Sequence, residues 1–184
     1  MAVLFPYLKA AAYIATIAGA IAAYVAVATY LENRRIRKEE IEKEKVKASV
    51  NVLGNFSMNV LPMIEHFEDN WFQCFEKILR DTGHNESLHH QNIKTLSVEN
   101  QRSLIIFAKN ETGASEIFNQ LDQICIYINH HLVKEDLIHD IMYKPTIIFM
   151  QQNEDVFLWQ YHHRHQFTNL CRVLKEWHYP IEIN

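Results

Sequence analysis

The sequence predicts an all-α protein: a single N-terminal transmembrane helix, a helical stalk and a compact cytoplasmic helical bundle. Three observations lead there. Residues Ala10 to Tyr30 contain no charged side chain and are followed by Arg34, Arg35, Arg37 and Lys38. From Val50 to Trp177 apolar residues return at the three- and four-residue spacing of helices. Strand patterning is confined to the tail Pro180-Ile181-Glu182-Ile183. The expected divisions are residues 1–31 as anchor, 32–60 as juxtamembrane stalk and 61–184 as cytoplasmic helical domain.

At about 1.5 Å rise per residue the uncharged run extends about 30 Å, the thickness of a bilayer's hydrocarbon core. A cleavable signal peptide is the rival reading, and Ala26-Val27-Ala28 offers a small-x-small cleavage pattern. Against it, the run exceeds the usual apolar region of a signal peptide, and the basic cluster follows it, where it resists translocation. The same asymmetry orients the span. Lys9 is the one cation before it, so the positive-inside rule puts Met1 outside and residues 32–184 in the cytoplasm, with Arg34, Arg35, Arg37 and Lys38 flanking the lipid.

Within the span Ala11, Ala15, Gly19 and Ala23 recur every fourth residue, with Ala12, Thr16 and Ala20 beside them. Small side chains let helix backbones approach closely in lipid, so this stripe is expected to associate copies of the chain. In a bundle of three or more copies Thr16 and Thr29 would line a narrow lumen. The pore and association candidates are therefore Ala15, Thr16, Gly19, Ala23 and Thr29.

After the span, Glu and Lys alternate through residues 39–47 and include the helical i,i+3 pairs Glu40/Lys43 and Glu44/Lys47. The helix is expected to run on as a solvated stalk, with packing from about Val50. Pro62 should open the next helix, whose face is Ile64, Phe67, Trp71, Phe75, Ile78 and Leu79 and which Asp81-Thr82-Gly83 stops. A polar loop follows over 84–95. Ser97 can cap a helix through Phe107 and Ala108, broken by Asn110 to Gly113. Ile117, Leu121, Ile124 and Ile128 mark another helix, and Lys134 to Tyr143 a short one that ends before Pro145. The last unit runs from Thr146 to Trp177 with an interruption near Asn153 or Arg164.

Composition narrows function. Lys plus Arg total 18 against 22 acidic residues, a net charge of −4, so a polyanion would have to be met by a local basic patch. With only four glycines the chain lacks the Gly-rich loops that cradle phosphates, and it has no GxSxG, HExxH or CxxC motif. No catalytic signature is present, and no cofactor is implied; the chain reads as a non-enzyme. Cys74, Cys125 and Cys171 lack paired spacing and read as reduced, small core residues.

Chemistry concentrates in the eleven histidines. His162, His163, Arg164 and His165 form the densest patch, with Arg172, Lys175 and His178 beyond it. His162 and His165 could ligate zinc with His178 as a third ligand, but no Cys or carboxylate completes the set, so no metal site is assigned. A solvated polar face is one reading of this run. The other is an anion-binding surface in which Arg and Lys meet phosphate and aromatic rings stack on bases, binding a nucleotide or short oligonucleotide through His162, His163, Arg164, His165, Arg172 and Lys175. His89-His90 and His130-His131 could join it if the bundle brings them together.

Over residues 34–177, and especially through ASEIFNQLDQICIYINHHLVKEDLIHDIMYKP, Phe157-Leu158-Trp159 and LCRVLKEW, the chain resembles a family of bacterial membrane-anchored helical proteins that carry a domain of unknown function. Its layout is similar to that of the membrane effectors of the Hailong antiphage defence system, tetrameric channels held shut by a single-stranded DNA oligomer. The resemblance implies a bacterial inner-membrane, tetrameric ion channel of antiviral defence, gated by single-stranded DNA or a nucleotide. A membrane-tethered module that binds another protein is the alternative.

Overall fold

In the computed structural model the described residues are 4–83 and 97–180, with side chains described at Gly19 and from Ile21 onward. They form seven α-helices and one π-helical turn, with no strand among them, so the protein is all-α. The chain divides into two compact units, residues 1–44 and 45–184. The expected polar loop at 84–95 and the strand-like tail beyond Pro180 lie outside the described residues.

The first unit is helical, carried by α1 (Leu4–Asn55). Among the described residues no helix is long and apolar enough to cross a membrane. The expected span falls in large part on residues 1–18 and 20, outside the described side chains, as do Ala15 and Thr16. Gly19, Ala23 and Thr29 are exposed in the single chain. Arg35 bonds Glu32 at 2.8 Å and reaches Glu39 at 3.7 Å, about a turn before the expected Glu40–Lys47 neighbourhood. Both pairs are exposed and contribute little.

In the second unit, packing begins at Ser49 and Val52 rather than at Val50, which faces outward. The buried Ser49 hydroxyl donates to the Lys45 carbonyl and accepts from the Lys134 amide, both at 2.8 Å, tying the end of α1 to the start of the helix that begins at Glu135. A helix boundary does fall beside Pro62, but it is a π-helical turn and not a break in the helical course of the chain. The chain passes from α1 through the π turn Phe56–Val60 into α2 (Leu61–Gly83), with Asn55 and Leu61 both in right-handed helical conformation. The reason lies in the ring. Proline lacks the amide that would bond residue 58 and crowds that carbonyl, and a wider turn, closed by Leu61 N–H to Phe56 C=O, accommodates both without breaking the helix.

Four helices follow as α3 (Val98–Glu111), α4 (Ala114–Asn129), α5 (Glu135–Gln152) and α6 (Glu154–Arg164). Ser97 caps α3, its hydroxyl accepting from Asn100 N–H at 3.2 Å, and Gly113 at φ 106° turns the chain into α4. The expectation that a helix ends before Pro145 is corrected: α5 runs through it. Ile138, Met142, Thr146, Phe149 and Met150 form one buried stripe across the proline. Burying that stripe offsets the roughly 3 kcal/mol that an interior proline costs. The chain breaks at Asn153 and again at His165, just past the suspected Arg164, which is the last residue of α6, before α7 (Thr168–Glu176).

The core is aromatic. Phe118 of α4 lies 5.1 Å from Phe149, 5.3 Å from Phe157 and 5.5 Å from Phe167 between ring centres. Phe67 of α2 closes on Phe149 at 5.5 Å. One side chain of α4 therefore joins α5, α6 and the turn before α7, with α2 one ring further out.

Candidate functional site

The α6–α7 corner carries the residues that the sequence singles out. Helix α6 starts with Glu154 and Asp155 in its first turn and ends with His162, His163 and Arg164 in its last, so both ends oppose the helix dipole. His165 (φ 52°) and Phe167 (φ 65°) then take left-handed conformations rare for residues other than glycine. Phe167 is buried and stacks on Phe157 at 5.7 Å, which holds the bend. The four side chains from His162 to His165 are consequently turned to solvent.

Two rings organise them. The His163 imidazole stacks on Trp159 at 5.0 Å with 25° between planes, and its Nδ1 lies 2.7 Å from the Trp159 carbonyl oxygen. The Arg164 guanidinium sits 5.7 Å from the same indole. His162 meets Tyr161 edge-on at 5.7 Å. Cation, imidazole and indole thus form one ledge, and Trp159 is the member that residue-type reasoning missed. Its signal was present as a tryptophan four residues before His163 on a helix.

Arg172 and Lys175 are not part of that ledge. They occupy the exposed side of α7, whose other side buries Leu170, Cys171, Val173 and Leu174. His130 and His131 are exposed at the end of α4, and His89-His90 lie outside the described residues. Among the described residues no three His, Cys, Asp or Glu side chains are grouped so as to hold a metal ion.

Helix α7 is positioned from outside itself. Its preceding residue, Phe167, offers no capping side chain. Asp122 of α4 accepts from Leu170 N–H at 2.8 Å and from Asn169 Nδ2 at 3.1 Å, and Asn129 Nδ2 donates to the Asn169 carbonyl at 3.1 Å. Burial, then the Asp122 carboxylate, pushes the Cys125 thiol well above its ordinary range and Cys171 up to about 11. These thiols stay protonated near neutrality, so they pack rather than react.

A second polar centre joins α3 to the α5–α6 break. Lys109 Nζ donates to the Gln152 carbonyl at 2.8 Å and to Asp155 Oδ1 at 2.9 Å, with the Trp71 ring centre 5.4 Å away. The lysine side chain is 8% exposed, on a cleft of about 430 Å³ that Phe67, Glu68 and Asn153 also line. Its charge and two of its three donors are answered by the protein, so the group pins the junction of two helices. Across the bundle, Asn110 Oδ1 accepts from Gln160 Nε2 at 2.7 Å and from the Ser115 hydroxyl at 2.6 Å.

On the first unit Tyr30, Arg34, Arg37, Lys38 and Ile41 share one face of α1. An aromatic ring, several cations on long stems and an aliphatic side chain are the groups that occupy the boundary between lipid and water.

Compared with known proteins, the chain matches no family model, no curated protein and no solved structure.

Proposed function

We propose that this protein is a membrane-anchored homo-oligomeric effector of antiphage defence, an ion channel in which copies of the N-terminal helix form the pore and the cytoplasmic domain binds a nucleotide or short single-stranded oligonucleotide that gates it. The observation that carries the ligand reading is the ledge in which the exposed His163 and Arg164 lean on the half-buried ring of Trp159. Phosphate binds guanidinium well, and a base can stack on the open side of an imidazole or indole. A ring of subunits would multiply each weak donor despite the acidic net charge. Such a ligand can move a closed–open equilibrium only by the ratio of its affinities for the two states, and a nearly complete shift takes about 5 kcal/mol.

The test uses the full chain in detergent with a fluorescent single-stranded oligonucleotide at low salt. Wild type should bind, with affinity falling as salt rises, and Arg164→Glu combined with Arg172→Glu should lose roughly tenfold or more. Equal binding by wild type and variant, or none by either, removes the ligand reading. Ion flux across liposomes tests the pore separately.

The anchor makes its own prediction. Gly19→Leu should weaken association in detergent by about 1–2 kcal/mol by forcing backbones apart, whereas Ile21→Leu should leave it unchanged. Identical dissociation curves for the two variants would move assembly out of the anchor.

A non-enzymatic membrane-tethered module for protein binding is the second reading. It is favoured by the placement of Arg164 in the last turn of α6, where a cation already serves the helix end, and by the separation of Arg172 and Lys175 on α7. Protein without ion flux but with intact membrane attachment would select it.

A further inference from the structure

The outer surface where the end of α1 meets α4 carries the two longest charge-free stretches of the described second unit. No Asp, Glu, Lys or Arg occurs from Ala48 through Ile64, nor from Gln123 through Val133. The two stretches enclose a groove of about 360 Å³ whose walls include Asn51 and Asn55 on one side and Gln123 and Tyr127 on the other. The amides continue along α1 into the π turn, where Asn59 Nδ2 donates to Asn55 Oδ1 at 2.6 Å. Asn51, Asn55 and Asn59 follow at four-residue intervals, so they stand one above another on the helix. Tyr127 is 46% exposed and Met58 80%. The contrast is with α5, whose exposed Leu137, Ile141 and Ile148 are interspersed with Glu135, Asp136, Asp140 and Lys144, as on an ordinary solvated helix.

Charge depletion together with aromatic and methionine exposure is the compositional mark of an interface centre. The absence of cations argues against a nucleic acid there, because phosphate would find no counter-charge. Charge also selects the occupant. A two-fold contact sets a patch against its own copy, where any net charge would repel itself, while an amide carries donor and acceptor together and matches its own kind. A buried asparagine row also fixes the register between paired helices.

We propose that this face is where a second copy of the chain docks about a two-fold axis, with the Asn51–Asn55–Asn59 row and Tyr127 of one copy against the same residues of the other, so that the contact joins copies in pairs. The inference rests on the reading of the protein as a homo-oligomer and adds a cytoplasmic contact to the one expected in the anchor.

The experiment measures protein mass in mild detergent for the full chain. Asn51→Glu combined with Tyr127→Glu introduces like charges at exposed helical positions that tolerate glutamate. Wild type should be an oligomer, and this variant should fall to a smaller species with unchanged helicity and melting. The corresponding double lysine variant should do the same, and mixing the two should restore the wild-type mass, a rescue that a different partner protein cannot produce. If the double variants lose helicity, Gln123→Glu and Gln123→Lys are used in the same way. Unchanged mass in the folded variants, or no rescue on mixing, overturns the proposal. If Gly19→Leu dissociates the protein while the charged variants do not, this face is rejected and the pore reading stands. A single-chain wild type rejects both.

Discussion

Lys109→Ala is expected to lower the stability of the second unit by about 2–4 kcal/mol, read as a shift of the denaturant midpoint at unchanged slope. The change removes the donor that serves the Gln152 carbonyl and leaves Asp155 without its counter-charge in a site that is only a quarter open to water. The cost is placed below that of breaking a fully buried pair because water can reach the orphaned carboxylate in part. Lys109→Met combined with Asp155→Leu should recover more than half of the loss, since the apolar pair removes both charges and covers Trp71 with a side chain of similar length. If Lys109→Ala shifts stability by less than about 0.5 kcal/mol, the pair is a surface contact and the junction of α5 and α6 is held by packing alone.

Phe118→Ala should cost still more, about 3–5 kcal/mol. The ring is fully buried and meets Phe149, Phe157 and Phe167, so truncation opens a cavity bounded by three helices and a turn that cannot all close on it. A domain of this size has about 5–15 kcal/mol of stability in total, so the variant should unfold at least 10 °C lower. Phe72→Ala, at a ring more than half exposed, should stay within about 0.5 kcal/mol of wild type. Comparable melting of the two variants would mean that Phe118 does not hold the core together.

Both effects arise from contacts distant in sequence, so the partners that Lys109 and Phe118 meet were not legible beforehand, although Phe118 does fall on the apolar side of its helix. Lys109 and Asp155 are 46 positions apart, and nothing around Lys109 marks it as buried rather than as one more solvated lysine at a helix end. Ser97 was legible because a helix cap is local, reaching a backbone amide three residues ahead. The cap of α7 was not, because Asp122 supplies it from another helix, 48 positions earlier. The candidate site divides in the same way. That His162 to His165 would sit at a helix end facing water followed from polarity and spacing. That Trp159 would carry His163 and Arg164 on its ring required the geometry of a particular turn.

The amino-acid sequence by itself determined that the chain is helical, where most helices lie and which faces are buried, because apolar period, capping residues and scarce glycine act within a turn or two of the backbone. Tertiary structure decided the rest. Pro62 and Pro145 both read as helix boundaries, yet the π turn accommodates one and a continuous buried stripe carries α5 through the other. Local propensities differ by a few kcal/mol at most, while the burial of Phe118, Phe149, Phe157 and their neighbours is cooperative across the whole bundle, so packing overrides a single proline whenever the two conflict.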